Sequence, residues 1–154
     1  MVATLGQILP EAARRFGDKT ALVVEGATFG FAELDALSSR VAHGLVSVGV
    51  APGDRVTLYG PNCWEWVVAY YAIAKTGAVV NPISSMLTGE EVGYVVRDSG
   101  ARVLVTSGDK GQPLLDLVGT DLGRRSSRTA GCTRATSRRW TRTATSPSSI
   151  ARPT

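Results

Sequence analysis

The stretch of this 154-residue chain whose residue types could do chemistry is Thr106–Pro113, with the sequence TSGDKGQP. It holds two glycines, one lysine and two hydroxyl side chains, and it follows the apolar run ARVLV. A strand that leads through a glycine-containing turn into a helix aims backbone N–H groups at an anion, so this stretch could cradle nucleotide phosphates. The alternative is an ordinary strand-to-helix turn in which Asp109 caps the helix with Gln112 as its partner.

Other reactive residue types are sparse and do not combine into a site. His43, the only histidine, lies off the apolar stripe of its helix, so we expect it to be solvated. Cys63 and Cys132 form no CxxC pair and have no histidine close in sequence, which predicts free thiols rather than a zinc site. Four aromatic residues on one helix are expected to pack rather than to form a substrate box: Trp64, Trp66, Tyr70 and Tyr71. We therefore assign no catalytic, cofactor-binding or metal-binding residue from sequence.

The charge divides the chain into two regions. Residues 1–123 hold nine Lys/Arg and all 13 Asp/Glu, a net charge of −4, whereas residues 124–154 hold eight arginines and no acid, a net charge of +8. The formal charge of +4 therefore comes from the last region alone. The first region is rich in Val, Ala and Leu, as α/β domains usually are, so we divide the chain into regions 1–123 and 124–154.

Apolar runs separated by amphipathic stretches predict strands that alternate with helices. TALVVEGATFGF reads as two short strands joined by a turn at Glu25-Gly26. DRVTLYG, GAVVNP and ARVLV read as three buried strands with helices between them. Such an alternation is typical of a parallel sheet. The predicted fold class is α/β: a partial parallel-sheet layer with helices on both faces, followed by an irregular basic tail.

Capping residues predict where the helices begin and end. Three pairs have capping-box spacing, namely Thr4 with Gln7, Asn62 with Glu65 and Thr88 with Glu91. Pro10 is expected to kink the first helix or delay its start. Gly77 and Gly100 are suited to closing the helices that precede them.

The sequence contains no recognisable targeting or membrane-spanning segment. The N-terminus MVATLGQILPEAARR lacks a basic region before an apolar core, so it does not read as a secretory signal. The longest apolar run, VVAYYAIA, is much shorter than the about 20 residues needed to span a bilayer. We expect a cytoplasmic protein without a membrane span.

Four segments occur in an order that resembles the N-terminal part of the AMP-forming acyl-CoA synthetase (fatty-acid–CoA ligase) family. They are FAELDALSSRVAHGL, GVAPGDRV, PNCWEWVVAYYAIAKTGAVVNPI and EEVGYVVRDSGARVLV, and the resemblance covers residues 18–107. It implies a two-step reaction in which ATP converts a carboxylic acid into an acyl-adenylate and coenzyme A then takes the acyl group. One departure is Gly30, where the family usually has a Ser or Thr hydroxyl.

The family's phosphate loop does not carry over onto this chain. That loop reads approximately TSGTTGxPKG and lies well downstream of the strand matched by ARVLV. In TSGDKGQP, Asp109 and Lys110 replace its Thr-Thr pair, and the residues after Pro113 are leucines. The resemblance therefore implies an inactive fragment, residues 1–123, that holds no cofactor, whereas the intact family uses ATP, Mg²⁺ and coenzyme A.

The region 124–154 has no helical or strand period and no acidic residue. It reads either as a disordered basic arm or as GC-rich DNA translated out of frame. When the third base of each codon is read with the next two, Arg codons give Ala, Pro, Ser or Thr, and Ser codons give Val, Leu, Ile or Phe. Residues 124–146 then acquire apolar runs and Asp-Gly turns, which favours a frameshift.

Two further functions remain as alternatives to an inactive ligase fragment. The first is a small α/β module whose arginine arm binds nucleic acid; because Trp140 is the arm's only aromatic residue, no stacking array is present and nucleic-acid binding is not expected. The second is one half of a split ligase, with a downstream-encoded remainder as the partner.

Overall fold

The computed structural model describes residues 4–111, 114 and 128–132. A 3₁₀ turn, Leu5–Gln7, precedes helix α1, Ile8–Phe16. The later helices are α2 (Phe31–Ser47), α3 (Trp64–Lys75) and α4 (Gly89–Ser99), and residues 108–111 and 114 are also helical. The strands are β1 (Thr20–Val24), β2 (Ala27–Gly30), β3 (Arg55–Tyr59), β4 (Val79–Ile83), β5 (Val103–Ser107) and β6 (Arg128–Cys132).

The main sheet is parallel, which confirms the predicted α/β class. Its order is β4-β3-β5-β6, and every neighbouring pair runs parallel. The three apolar runs of the sequence form β3, β4 and β5. The strands β1 and β2 form a separate antiparallel hairpin whose turn is at Glu25-Gly26, as predicted, and both turn residues have positive φ.

The strand β6 corrects one sequence expectation. No regular element was expected in 124–154, yet Arg128–Cys132 pairs with β5 in register from Val103↔Arg128 to Ser107↔Cys132. Ladder hydrogen bonds are made by the backbone, so a segment without an apolar period can still pair. The rest of the region 124–154, including Trp140, lies outside the described residues.

Helices cover both faces of the sheet, as expected. The alternating side chains of β3 divide between the faces: Val56 and Leu58 pack with α2 and α3, whereas Tyr59 packs with Val92 of α4 and with Leu114. Successive residues of a strand point to opposite faces, so one apolar strand supplies both cores.

A largely buried lysine connects α2 to α3. The ammonium of Lys75, whose side chain is only 10% exposed, lies 2.5 Å from the Asp35 carboxylate and donates to the Ser39 hydroxyl at 2.8 Å. It also donates to the Asp35 carbonyl at 2.9 Å. All three protons of the ammonium therefore have acceptors, which is the condition under which a buried charge is tolerated.

One of the three predicted capping boxes is confirmed. Thr88 and Glu91 bond reciprocally at the start of α4, and the backbone of Thr88 holds the pKa of the Glu91 carboxyl below its usual value. Gly100 closes this helix with φ 63°, and Gly77 follows α3 with φ 77°, both as expected.

The other two predicted capping boxes are wrong. The α-helix α1 begins at Ile8 with Gln7 as its N-cap, and α3 begins at Trp64 with Cys63, not Asn62, in that position. The Thr4 side chain makes no capping bond; its carbonyl instead accepts from Gln7 at 3.0 Å and closes the 3₁₀ turn. Pro10 falls in the first turn of α1, where its missing N–H would be unpaired in any case.

The structure explains the departure at Gly30, which is the N-cap of α2. The first two amides of α2 already have backbone acceptors: Phe31 donates to Lys19 at 3.2 Å and Ala32 donates to Gly17 at 3.0 Å. A Cβ at residue 30 would lie 3.1 to 3.3 Å from backbone atoms of Asp18. The turn before β1 therefore provides the acceptors that a capping hydroxyl would otherwise provide. Its backbone also crowds the position that the Cβ of a serine or threonine would take.

We predict that introducing a hydroxyl with Gly30→Ser lowers the free energy of unfolding by about 1 kcal/mol. The reason is that overpacking against Asp18 outweighs the small gain from a capping hydrogen bond. Urea denaturation followed by circular dichroism measures this change. The matched control is Gly44→Ala in the same helix, where a Cβ meets nothing within 4 Å and helix propensity should add about 0.5–1 kcal/mol. A stabilised Gly30→Ser variant would contradict this account of the cap.

Candidate functional site

The carboxyl ends of β3 and β5 lie side by side at a point where the chain diverges. From β3 the chain continues through α3 to β4 on one side, whereas β6 lies beyond β5 on the other side. In open α/β sheets the connections then leave a gap at the carboxyl edge, and ligands bind at such switch points. The position between β3 and β5 is therefore the candidate site.

A shallow open cleft is present at this position, with a cavity volume of about 20 Å³, and we call it the β3–β5 crevice. Its walls come from the ends of the two strands and from the first turns of α3, and its lining is mostly apolar. The lining residues are Leu58, Tyr59, Gly60, Pro61, Cys63, Glu65, Trp66, Ala69, Val105, Thr106 and Ser107. Gly60 was not among the residues predicted to form a site; the signal available was its position directly after a buried strand.

The stretch TSGDKGQP forms the end of β5 and the helical turn that follows. Helical residues start at Gly108, so Ser107 precedes the helix and the expectation that Asp109 is the N-cap is wrong. The Ser107 hydroxyl, followed by the amides of Asp109 and Lys110, still holds the pKa of the Asp109 carboxyl below its usual value. Gln112, the expected partner of Asp109, lies outside the described residues.

Lys110 is engaged with neighbouring elements rather than free for a phosphate. Its ammonium donates to the Ser85 carbonyl at 2.8 Å and lies 5.3 Å from the ring centroid of Tyr59. The Tyr59 hydroxyl in turn donates to the Leu87 carbonyl at 2.8 Å. Both groups thus hold the connection between β4 and α4 against the end of β3. These contacts favour the ordinary strand-to-helix turn over a phosphate cradle.

Cys63 lies at the start of α3, a position that usually activates a thiol. Here burial raises the pKa of the Cys63 thiol to about 11, and the nearby backbone of Trp66 only partly offsets that effect. Helix N-termini normally lower a cysteine pKa, so desolvation is the stronger influence at this position. Cys63 is consequently a poor nucleophile at neutral pH. The side chain of Cys132 lies outside the described residues.

The remaining candidate residues are either exposed or packed against the two cores. His43 is exposed on α2, as the sequence predicted. Trp64 packs 5.0 Å from the Phe29 ring, and Trp66 stacks 5.5 Å from Tyr70, so the aromatic residues of α3 pack against the two cores. Tyr71 packs with the same cluster as Trp64.

Within the part of the chain that the structure describes, no group of three or more His, Cys, Asp or Glu residues could hold a metal ion. Among those same residues, no helix combines the length and the apolar character needed to cross a bilayer.

Comparison with known proteins finds relatives that are ligases. A family model described as AMP-binding enzyme matches residues 9–150. The crotonobetaine/carnitine–CoA ligase of Salmonella paratyphi B is 37% identical over 108 residues, which are 67% of this chain and 21% of that protein. The chain therefore spans about a fifth of the length of the curated relatives it matches.

Comparison with solved structures also finds similar proteins. The inhibitor-bound N-terminal domain of FACL13 from Mycobacterium tuberculosis has a TM-score of 0.74 at 28% identity and covers 86% of this chain and 33% of that one. A fatty acyl CoA synthetase of Mycobacterium tuberculosis has a TM-score of 0.73 at 29% identity, covering 84% of this chain and 26% of that one.

We predict that Cys63 reacts slowly with Ellman's reagent near pH 8, because with a pKa of about 11 only about a thousandth of the thiol is ionised. The rate should rise about tenfold per pH unit towards pH 11, since the thiolate is the nucleophile. The measurement uses Cys132→Ser, in which Cys63 is the sole thiol, and the same variant in guanidinium chloride supplies the reference rate. Equal rates for the folded and denatured chains near pH 8 would overturn the assignment.

Proposed function

Because the chain belongs to the AMP-binding enzyme family, we propose that it is the N-terminal part of an acyl-CoA ligase. The reaction proposed for the whole ligase is ATP-dependent activation of a carboxylic or fatty acid, followed by thioester formation with coenzyme A. The adenylate step is chemically reasonable because AMP is a far better leaving group than hydroxide. The whole ligase would use ATP, Mg²⁺ and coenzyme A, and we place it in the cytoplasm.

The contribution of residues 1–123 to this ligase is structural. They supply part of the parallel sheet with its covering helices, and the observation that carries this assignment is the state of TSGDKGQP. Asp109 brings a carboxylate to the place where a phosphate would be cradled, and Lys110 is held by Ser85 and Tyr59. An anionic phosphate would meet repulsion there without a free cation to compensate. The rest of the ligase must provide the nucleotide site.

We propose further that the region 124–154 is the product of a frameshift. Its eight arginines and lack of acids contrast with the acidic region before it, and its alternative frame restores apolar runs with Asp-Gly turns. In this proposal the locus encodes the remainder of the ligase in another frame, either as an ancestral continuation or as a separate chain that acts as partner.

The chain alone is expected to release no pyrophosphate when it is mixed with ATP, Mg²⁺, coenzyme A and a panel of carboxylic acids, because it presents no phosphate cradle. A coupled pyrophosphate assay measures this. The crotonobetaine/carnitine–CoA ligase from Salmonella, assayed with carnitine, serves as the positive control. Acid-dependent release by the chain alone would refute the structural role. Release that needs co-expression with the downstream frame would support the split ligase.

Sequencing the DNA across codons 110–154 and translating all three frames tests the frameshift. We expect another frame to continue into a TSGTTGxPKG-like loop, because the family places its phosphate loop downstream of the ARVLV strand. If stop codons close every other frame, the arginine-rich region is genuine. Salt-dependent binding of nucleic acid, lost on deleting residues 124–154, would then become the function to test.

A further inference from the structure

The strand β5 has the environment of an interior strand. Val103 and Val105 are buried in the cluster that α2 and α3 cover, and Leu104 packs against the cluster on the opposite face. One backbone edge of β5 pairs with β3 in parallel. A parallel strand that is covered on both faces normally lies between other apolar strands. The outer edge of β5, away from β3, is therefore suited to an apolar partner strand.

The strand that occupies this outer edge, β6, does not have such a sequence. Its residues Arg128–Cys132 read RTAGC and pair with β5 along its full length. Thr129 is the only one of the β-branched or aromatic types that are enriched in strands, whereas Ala130 and Gly131 are of types that are depleted there. The segment therefore offers β5 backbone hydrogen bonds with few of the residue types whose cross-strand pairs stabilise sheets.

The pairing of β6 can also be undone without disturbing the other strands. Among the described strands, β6 pairs with β5 alone. Residues 108–127 separate the end of β5 from the start of β6. Closing a connection of this length costs conformational entropy, which opposes the pairing further. An apolar strand supplied from elsewhere would therefore compete well with β6 for the same edge.

The relatives indicate where such a strand would come from. This chain spans about a fifth of the length of the curated relatives it matches, so those ligases contain further segments to which nothing in this chain corresponds. In the split form of the proposed function, these segments belong to a partner chain. The opposite edge strand of the described sheet, β4, contains Pro82, which has no backbone N–H. The sheet is therefore continued more favourably from β5 than from β4.

We propose that the outer edge of β5 is the docking site for one apolar, parallel strand of the separately encoded ligase remainder. The incoming strand pairs with Val103–Ser107 and displaces β6 from that edge. The identity of this partner rests on the split-ligase form of the proposed function. The docking site itself rests on the contrast between the buried, apolar β5 and the sequence of β6.

A peptide with the sequence ARVLVTSG, which is β5 with its flanking residues, serves as the probe for an apolar strand. It is titrated into the full chain and into the variant Ala130→Pro/Gly131→Pro, and ¹H–¹⁵N NMR follows the amides of Val103–Ser107. Neighbouring N–H groups of a strand point to opposite edges, so one of the two prolines removes a bond to β5. We expect saturable shifts and at least about tenfold tighter binding to the variant, because β6 no longer competes for the edge.

Two matched controls accompany the titration. The same peptide with Leu104→Pro keeps the charge and the length but interrupts the ladder, so it is expected not to bind. The chain variant Ala144→Pro/Thr145→Pro places two prolines in the arginine-rich region outside β6, and it is expected to bind ARVLVTSG as weakly as the unchanged chain does.

Three results would overturn the docking site. They are no binding of ARVLVTSG to the β6 variant, equal binding of the two peptides, and loss of a dispersed spectrum in the β6 variant, since the last result would mean that the fold requires β6. Failed binding beside an open downstream reading frame would leave the ligase proposal standing. Stop codons in every other frame would instead overturn the partner, whatever the peptide does.

Discussion

The described structure depends on one constraint: the strand β3 needs hydrogen-bond partners along both edges of its backbone and packing partners on both of its side-chain faces. Its backbone pairs with β4 on one edge and with β5 on the other, so its N–H and C=O groups have partners away from water. Its side chains alternate between two cores, and both Val56 and Thr57 are fully buried. The helices α2, α3 and α4 are held where they cover these two faces, and Lys75 fixes α2 to α3 with its three acceptors.

The two halves of the carboxyl edge differ as a consequence. Between β3 and β4 the edge is closed, because Tyr59 and Lys110 both bond to the connection that precedes α4. Between β3 and β5 a shallow cleft remains, and Gly60 is part of its lining. The lysine that makes TSGDKGQP look like a phosphate loop is thus part of the closure.

Sequence patterns predicted some local features correctly and missed others that have the same spacing. The apolar runs of β3, β4 and β5 and the reciprocal bonds of Thr88 and Glu91 need only neighbouring residues, and both were predicted. The same spacing failed at Thr4 with Gln7 and at Asn62 with Glu65, because α1 and α3 begin at Ile8 and Trp64 with other N-caps. Other features depend on distant groups. At β6 the backbone of β5 supplies the pairing. The crevice was not predicted because it exists only after the strands are placed side by side.

Among the described strands β4 lies at one edge of the sheet, and Pro82 removes a backbone donor from it. It is the fourth of the five residues of β4, pairs in register with Leu58 and is exposed. Proline has no N–H to donate, and within sheets it is confined to positions where that missing donor faces away from the neighbouring strand. A strand from another molecule that paired with β4 would find one donor missing from its hydrogen-bond ladder. This edge is therefore protected against the strand-to-strand association that leads to aggregation.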